Sequence, residues 1–310
     1  MPDTRHHARV RLLSLLQSSG YRFVTPNTGT IRRMHRRGPP ASPTLRDIFG
    51  WSLPFPEGAL DPDFTESLEA ADGLERTQAG LRSRLRCSSV GDLLFLHSAF
   101  PTDAADSVFL GPDSYRFANL IEATLMARTP EGPILDIGTG SGVGGLVAGA
   151  RCPGSAVTLS DPNPAALALA AANAEHAGQT VQLCEARGYD AVCDGFGLIL
   201  ANPPFIAGGS GRVYRDGGDL HGARLSLDWA VEGMTRLRPG GRLLLYTGSP
   251  ILTGGEDQLG RLLADAAREA GCSLTYQELD PDIFGGELGR EAYQDVERIA
   301  AVGAVLTRPA

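Results

Sequence analysis

Ile134-Leu135-Asp136-Ile137-Gly138-Thr139-Gly140-Ser141-Gly142 is the stretch that decides the fold. An apolar strand runs directly into alternating glycines and then into a helix expected at about Gly142 to Ala150. Glycines at such a turn let the backbone approach a ligand closely and present amide groups near a helix N-terminus. The spacing is not the G-x-G-x-x-G dinucleotide fingerprint, and the Gly-Lys-Ser/Thr of a P-loop is missing, so nicotinamide dinucleotides and ATP fall in rank. Several nucleotide-binding folds share a glycine-rich strand-to-helix turn. The flanking strands have to narrow the choice.

The next apolar strand ends in Leu159-Ser160-Asp161-Pro162-Asn163. An acid at the carboxyl edge of that strand can accept both hydroxyls of a ribose lying across the glycine turn. A helix-capping aspartate is the alternative, but Asn163 can cap the following helix equally well, which favours the ribose. Glu185 closes the third strand within reach of an adenine amino group, or stands there as a solvated acid. The fourth strand runs into Ile199-Leu200-Ala201-Asn202-Pro203-Pro204-Phe205. Consecutive prolines remove two backbone donors, stiffen the turn and leave carbonyls free. The Asn202 side-chain oxygen and the Pro203 carbonyl can accept both hydrogens of a planar NH2 group, while Phe205 stacks on its flat substituent and Pro204 adjoins it. The glycine-rich loop from Ile206 to His221 offers Tyr214, Arg215, Asp216 and His221 as substrate contacts and is expected to close over the acceptor.

Strand-helix alternation from about residue 107 predicts an α/β fold, a doubly wound seven-strand Rossmann-like sheet over 107–310. The strands read as Pro133 to Ile137, Ala156 to Ser160, Val181 to Cys184, Leu198 to Ala201, Arg242 to Tyr246, Ser273 to Leu279 and Ala300 to Thr307. Helices are expected around Phe117 to Leu125, Pro164 to His176, Ala223 to Leu237 and Glu256 to Ala270. Residues 1–106 predict a small α+β substrate-recognition domain. It comprises a helix from His6 to Ser18, a basic arm without regular structure over 25–43, short helices capped by Thr44 and Asp63, and two strands, Leu81 to Cys87 and Leu93 to Leu96. Helices followed by a two-stranded ribbon suggest a winged-helix-like unit; an irregular helical cap is the alternative.

The 310 residues are 42% hydrophobic and 21% charged, which excludes fibrous and wholly disordered chains and accommodates two domains. No apolar run approaches the roughly 20 residues of a membrane span. Arg5, Arg9 and Arg11 interrupt the leucines near the start, so no secretory signal is expected and the protein is assigned to the cytoplasm, without membrane association. Five cysteines, none spaced C-x-x-C, and six scattered histidines argue against a disulfide framework or a zinc site; the cysteines are expected to be reduced, buried small hydrophobes. A net charge of -8 hides nine arginines against Asp3 and Asp47 in the first fifty residues. The cluster Arg32, Arg33, Arg36 and Arg37 can track nucleic-acid phosphates, although such runs are usually solvated faces.

With these motifs in place, the chain resembles the class I S-adenosylmethionine-dependent methyltransferases, specifically the N-methyltransferases with an Asn/Asp-Pro-Pro-Tyr/Phe/Trp motif. Leu135 to Gly142 together with Asn202 to Phe205 look most like the release-factor glutamine N5-methyltransferases. The resemblance implies that Asp136 to Gly142 hold the methionine portion of S-adenosylmethionine, that Asp161 holds its ribose, and that Asn202 lies where methyl donor and acceptor meet. Phe205 stands where Tyr is usual, Glu185 where Asp is commoner, and Gly111-Pro112-Asp113-Ser114 where an Arg-Pro-Asp/Glu-Thr/Ser segment is found. A protein glutamine is the first expected acceptor; adenine N6 or guanine N2 of RNA or DNA comes second and a small metabolite third. A module that only binds S-adenosylmethionine is the reading from another class, and an unbroken Asn-Pro-Pro-Phe does not support it.

Overall fold

The computed structural model describes residues 4–207 and 216–310. Helix α1 (Thr4–Ser18) buries Ala8, Leu12 and Leu16 at i, i+4 spacing, together with Leu13. Residues 25–43 are not the irregular arm expected from their prolines; they contain α2 (Thr28–Arg37). Pro26, Pro39, Pro40 and Pro43 flank that window and none falls inside it, and the Asn27 side chain caps it by accepting from the Thr30 amide at 2.9 Å. A short π-helical turn, Arg46–Gly50, lies where Thr44 was expected to start a helix. Helix α3 (Pro62–Ala70) is capped by Asp61 rather than Asp63: Asp61 accepts from the Asp63 amide at 3.0 Å, and Pro62 fills the first turn, where a missing N–H costs no helical bond.

Four short strands follow as two antiparallel hairpins: β1 (Leu74–Thr77) with β2 (Gly80–Ser83), and β3 (Leu85–Val90) with β4 (Leu93–Ser98). The expected single strand from Leu81 to Cys87 is therefore divided at Arg84, where the Ser83 hydroxyl bonds both the amide and the carbonyl of Leu85. In place of the one ribbon of a winged helix there are two, because β1 reads Leu-Glu-Arg-Thr and carries too little apolar pattern to be recognised.

The remainder forms α4 (Pro112–Ala127), β5 (Ile134–Ile137), α5 (Val143–Arg151), β6 (Val157–Asp161), α6 (Pro164–His176), β7 (Val181–Glu185), β8 (Phe196–Ala201), α7 (Arg224–Arg236), β9 (Leu237–Leu252), β10 (Glu256–Asp257), α8 (Gln258–Glu269), β11 (Ser273–Asp280) and β12 (Val296–Thr307). Seven strands run in the order β11-β12-β9-β8-β5-β6-β7, with the two-residue β10 paired to β9 as an eighth. Five of them, β9 through β7, are parallel; β12 lies antiparallel between β9 and β11. Strand β9 extends well beyond Arg242 to Tyr246 because β12 pairs with it from Val296 to Thr307. Successive side chains fall on opposite faces. Ile134, Leu198, Leu200, Leu244 and Tyr246 pack with α4 and α5, whereas Leu135, Ile137, Ile199, Leu243 and Leu245 pack with α7 and α8.

The apolar core of the first hundred residues continues onto α6 through Ala166 and Leu169. Asn173 of α6, fully buried, accepts from the Leu96 amide at 2.8 Å and donates to the Leu96 carbonyl at 3.1 Å and the Ser141 carbonyl at 2.9 Å. Of the five cysteines, Cys87 and Cys152 are buried, Cys184 and Cys272 are half-buried and Cys193 is exposed, so the expectation of uniform burial does not hold. Among the described residues no helix is long and apolar enough to cross a membrane.

Candidate active site

The strand order reverses at β5, between β8 on one side and β6 on the other, and the loops leaving these three strands line a cavity of about 700 Å3. Such a crevice at the carboxyl edge of a parallel sheet is where ligands bind in open α/β folds.

Gly138, Gly140 and Gly142 have φ of +66°, +55° and +90°, in the left-handed region that a side chain would strain. Gly142 is the N-cap of α5. Asp136, completely buried beneath the turn, accepts from the Gly145 amide at 2.8 Å and from the Thr139 hydroxyl. A Cβ on Gly144 would stand 2.7 Å from its other oxygen. Asp136 thus braces the turn from below as well as lining the cavity. Burial pushes its carboxyl up to about 6, against the two hydrogen bonds.

A carboxyl raised on folding makes the folded state the tighter proton binder, so its contribution is most favourable below the ordinary 3.8 and is lost as pH rises through about 6. Asp136→Asn cannot acquire that charge. The stability difference between variant and wild type should therefore shift toward the variant from about pH 4 to about pH 7, read as urea midpoints at both ends. A pH-independent difference would show that Asp136 titrates as an ordinary carboxylate.

Asp161, also buried, accepts from the Gly140 amide and from the Asn163 amide, each at 2.9 Å. Burial raises its pKa in spite of both bonds. One lone pair on each oxygen remains for a ligand. Asn163 caps α6 through the Ala165 amide at 2.9 Å.

Asn202, Pro203, Pro204 and Phe205, which follow β8, also line the cavity. Among the described residues neither the Asn202 side chain nor the Pro203 carbonyl has a hydrogen-bond partner. Phe205 is wedged: its ring meets Phe284 edge-on at 5.5 Å, and a Cβ on Gly248 would approach it to 2.5 Å. Ile206 bridges to Asp216, the Gly217 amide donates to the Ile206 carbonyl at 2.9 Å, and the Ala207 amide donates to the Tyr293 hydroxyl at 2.7 Å. Gly222 packs so closely on this segment that a Cβ would lie 2.5 Å from the Ala207 nitrogen.

Asp136, Gly138, Thr139, Gly140, Ser141, Asp161, Asn202, Pro203, Pro204, Phe205 and Asp216 all line the cavity. Three expected residues do not; Gly142, the N-cap of α5, is off the wall. Glu185 is exposed at the end of the edge strand β7, and Arg187 and Gly188 line the cavity in its place. His221 is off the wall and engages Asp295 at 2.9 Å. Tyr214 and Arg215 lie outside the described residues. The sequence reading missed Asp113, Arg187, Asp228, Trp229 and Phe284, all on the wall. Asp113 had a readable signal, since Pro112 marks the first turn of α4 and so aims that turn. It accepts from the Tyr246 hydroxyl at 2.6 Å, and burial raises its pKa.

Residues 117–216 match the family model of the methyltransferase small domain. The release factor glutamine methyltransferase of Cereibacter sphaeroides is 31% identical over 231 residues, covering 70% of this chain and 77% of that protein. Those of Bordetella pertussis (35% over 119 residues) and Deinococcus radiodurans (30% over 168 residues) match 36% and 52% of this chain and 43% and 58% of their own lengths. Among solved structures, a Pyrococcus horikoshii protein 9% identical superposes with a TM-score of 0.52 over 97% of this chain and 100% of its own. Trm5b of Pyrococcus abyssi, 11% identical, gives 0.52 over 73% of this chain and 56% of that one. At such identity these two show a shared fold.

Proposed function

This chain belongs to the release factor glutamine methyltransferase family and is an S-adenosylmethionine-dependent methyltransferase, and from that premise we propose that it methylates the side-chain nitrogen of a glutamine presented by a protein. One observation carries the proposal: among the described residues the Asn202 side-chain oxygen and the Pro203 carbonyl, both on the cavity wall, have no hydrogen-bond partner. They match the two hydrogens of a primary carboxamide.

The residues present suit the cofactor. Gly138 and Gly140 leave a cradle that side chains would strain or fill, Asp161 keeps lone pairs toward the cavity for ribose hydroxyls, and the volume is that of a nucleotide-sized site. When bound, S-adenosylmethionine supplies an electrophilic methyl group on sulfur. The chain supplies the rest. An amide nitrogen is a poor nucleophile because its lone pair is delocalised; two fixed acceptors orient it and stabilise the charge that develops as it pyramidalises. Positioning and electrostatics then act without a strong base. Phe205 packs on the flat amide, and the tyrosine hydroxyl usual at this position is dispensable for that contact.

A second reading, methylation of a nucleic-acid base amine, is favoured by one feature. Arg32, Arg33, Arg36 and Arg37 are exposed on α2, and among the described residues none has a carboxylate partner. Transfer of labelled methyl into protease-treated and nuclease-treated extract separates the two. The expected label is protease-sensitive and appears as methylglutamine after enzymatic digestion. A variant with all four arginines replaced by serine should keep most of this activity. Nuclease-sensitive label, with a salt slope of RNA binding that falls by roughly 3 in the variant at about 0.7 to 0.9 per phosphate contact, would establish the second reading instead.

A further inference from the structure

Trp229 stands in the middle of α7, where no motif points. A Cβ on Gly138 would come within 2.8 Å of its ring, and its Nε1 lies 3.6 Å from the Cβ position of Gly188. One indole therefore spans from the turn after β5 to the loop after β7, and both glycines it touches have positive φ, +66° and +57°. Trp229 is half-buried and lines the cavity. Its helix is held by Tyr189, whose hydroxyl donates to the Trp229 carbonyl at 2.9 Å. Arg187 is on the cavity wall and exposed, and among the described residues it has no ion-pair partner. Glu185, two residues earlier, is off the wall.

Resting on the cofactor orientation proposed above, we infer that the purine of S-adenosylmethionine lies on the indole of Trp229 and that Arg187, rather than a carboxylate, faces the purine edge. The order of the strands carries this. With the ribose at Asp161, the end of β6, the base extends toward the next strand, β7, and so toward Arg187 and Gly188. A flat heterocycle there meets the indole face of Trp229, which reaches that loop. Guanidinium has donors only. It can bond the ring nitrogens of the purine but cannot accept from the exocyclic amine, so the 6-amino group is not selected. On its N7 side a 6-oxo purine keeps that acceptor and adds O6 as a second, while its N1 becomes an N–H donor.

The chain has two tryptophans, and Trp51 packs against Phe23 in the first hundred residues, so Trp51→Phe leaves Trp229 as the sole indole emitter. Titrating that protein with S-adenosylhomocysteine should give a saturable change in emission with the dissociation constant found by calorimetry. Loss of the stacking face in Trp229→Ala should weaken binding by about tenfold or more, and Trp229→Phe should retain most of it. The S-inosylhomocysteine analogue, 6-oxo in place of 6-amino, should bind wild type within a few-fold of the adenine form. Arg187→Glu should disfavour it by about tenfold or more relative to the adenine form. Calorimetric binding with silent Trp229 emission and an unaffected Trp229→Ala would overturn the stacking assignment, and strong rejection of the 6-oxo analogue by wild type would overturn the role of Arg187. Absence of S-adenosylhomocysteine binding in any assay would overturn the cofactor orientation as well.

Discussion

Asn202→Ala should lower turnover by about a hundredfold or more, the scale seen when one preorganised polar group aimed at developing charge is removed. The fold and the affinity for S-adenosylhomocysteine should stay near wild type. Asn202 has no hydrogen-bond partner among the described residues, so its loss leaves no buried group unsatisfied there. Pro203 and Pro204 still stiffen the turn. Asn202→Asp keeps an acceptor at the same place and should retain more activity than the alanine variant. Single-turnover rates at saturating substrate, beside calorimetry with the product cofactor, separate chemistry from binding. Near-wild-type turnover in the alanine variant would defeat the two-acceptor mechanism.

Asp161→Ala should weaken S-adenosylmethionine by about 1.5 to 3 kcal/mol, the range for hydrogen bonds to a charged group, or roughly ten- to a hundredfold and somewhat beyond. Two effects add in the same direction. The variant loses the lone pairs offered to the ribose, and it frees the Gly140 amide that Asp161 now holds at 2.9 Å. Asn163 still caps α6 through Ala165, so the helix should survive and calorimetry should report on the site alone. Unchanged affinity in a folded variant would remove Asp161 from the cofactor site.

The parallel sheet was legible because its inner strands β5, β6 and β8 are largely apolar, buried runs, and because turn residues fall at their ends. That Gly138 to Ser141, Asp161 and Asn202 to Phe205 line the cavity was legible for a related reason: a strand end in this fold points at the crevice. Trp229 was not, since it reaches the cavity from a helix and helical residues announce a face rather than a target. Glu185 misled because the register that places Asp161 at a strand end places Glu185 opposite it, yet β7 is the edge strand and its end turns to solvent. In the first hundred residues, prolines concealed α2 and polar side chains concealed β1. Local composition there reports the boundaries of elements more faithfully than their interiors.

Asn173 has a consequence for how such a chain can be recombined. Its single amide group closes three hydrogen bonds, two to Leu96 in the second hairpin and one to Ser141 in the glycine turn. Detaching the first hundred residues would remove the Leu96 backbone pair and leave Asn173 with its bond to Ser141 alone. It would also uncover the apolar side of α6 that Ala166 and Leu169 present to α1 and the hairpins. The first hundred residues and the sheet are therefore not interchangeable cassettes. A graft of another N-terminal segment onto this sheet has to bring its own backbone partner for Asn173, or replace that residue.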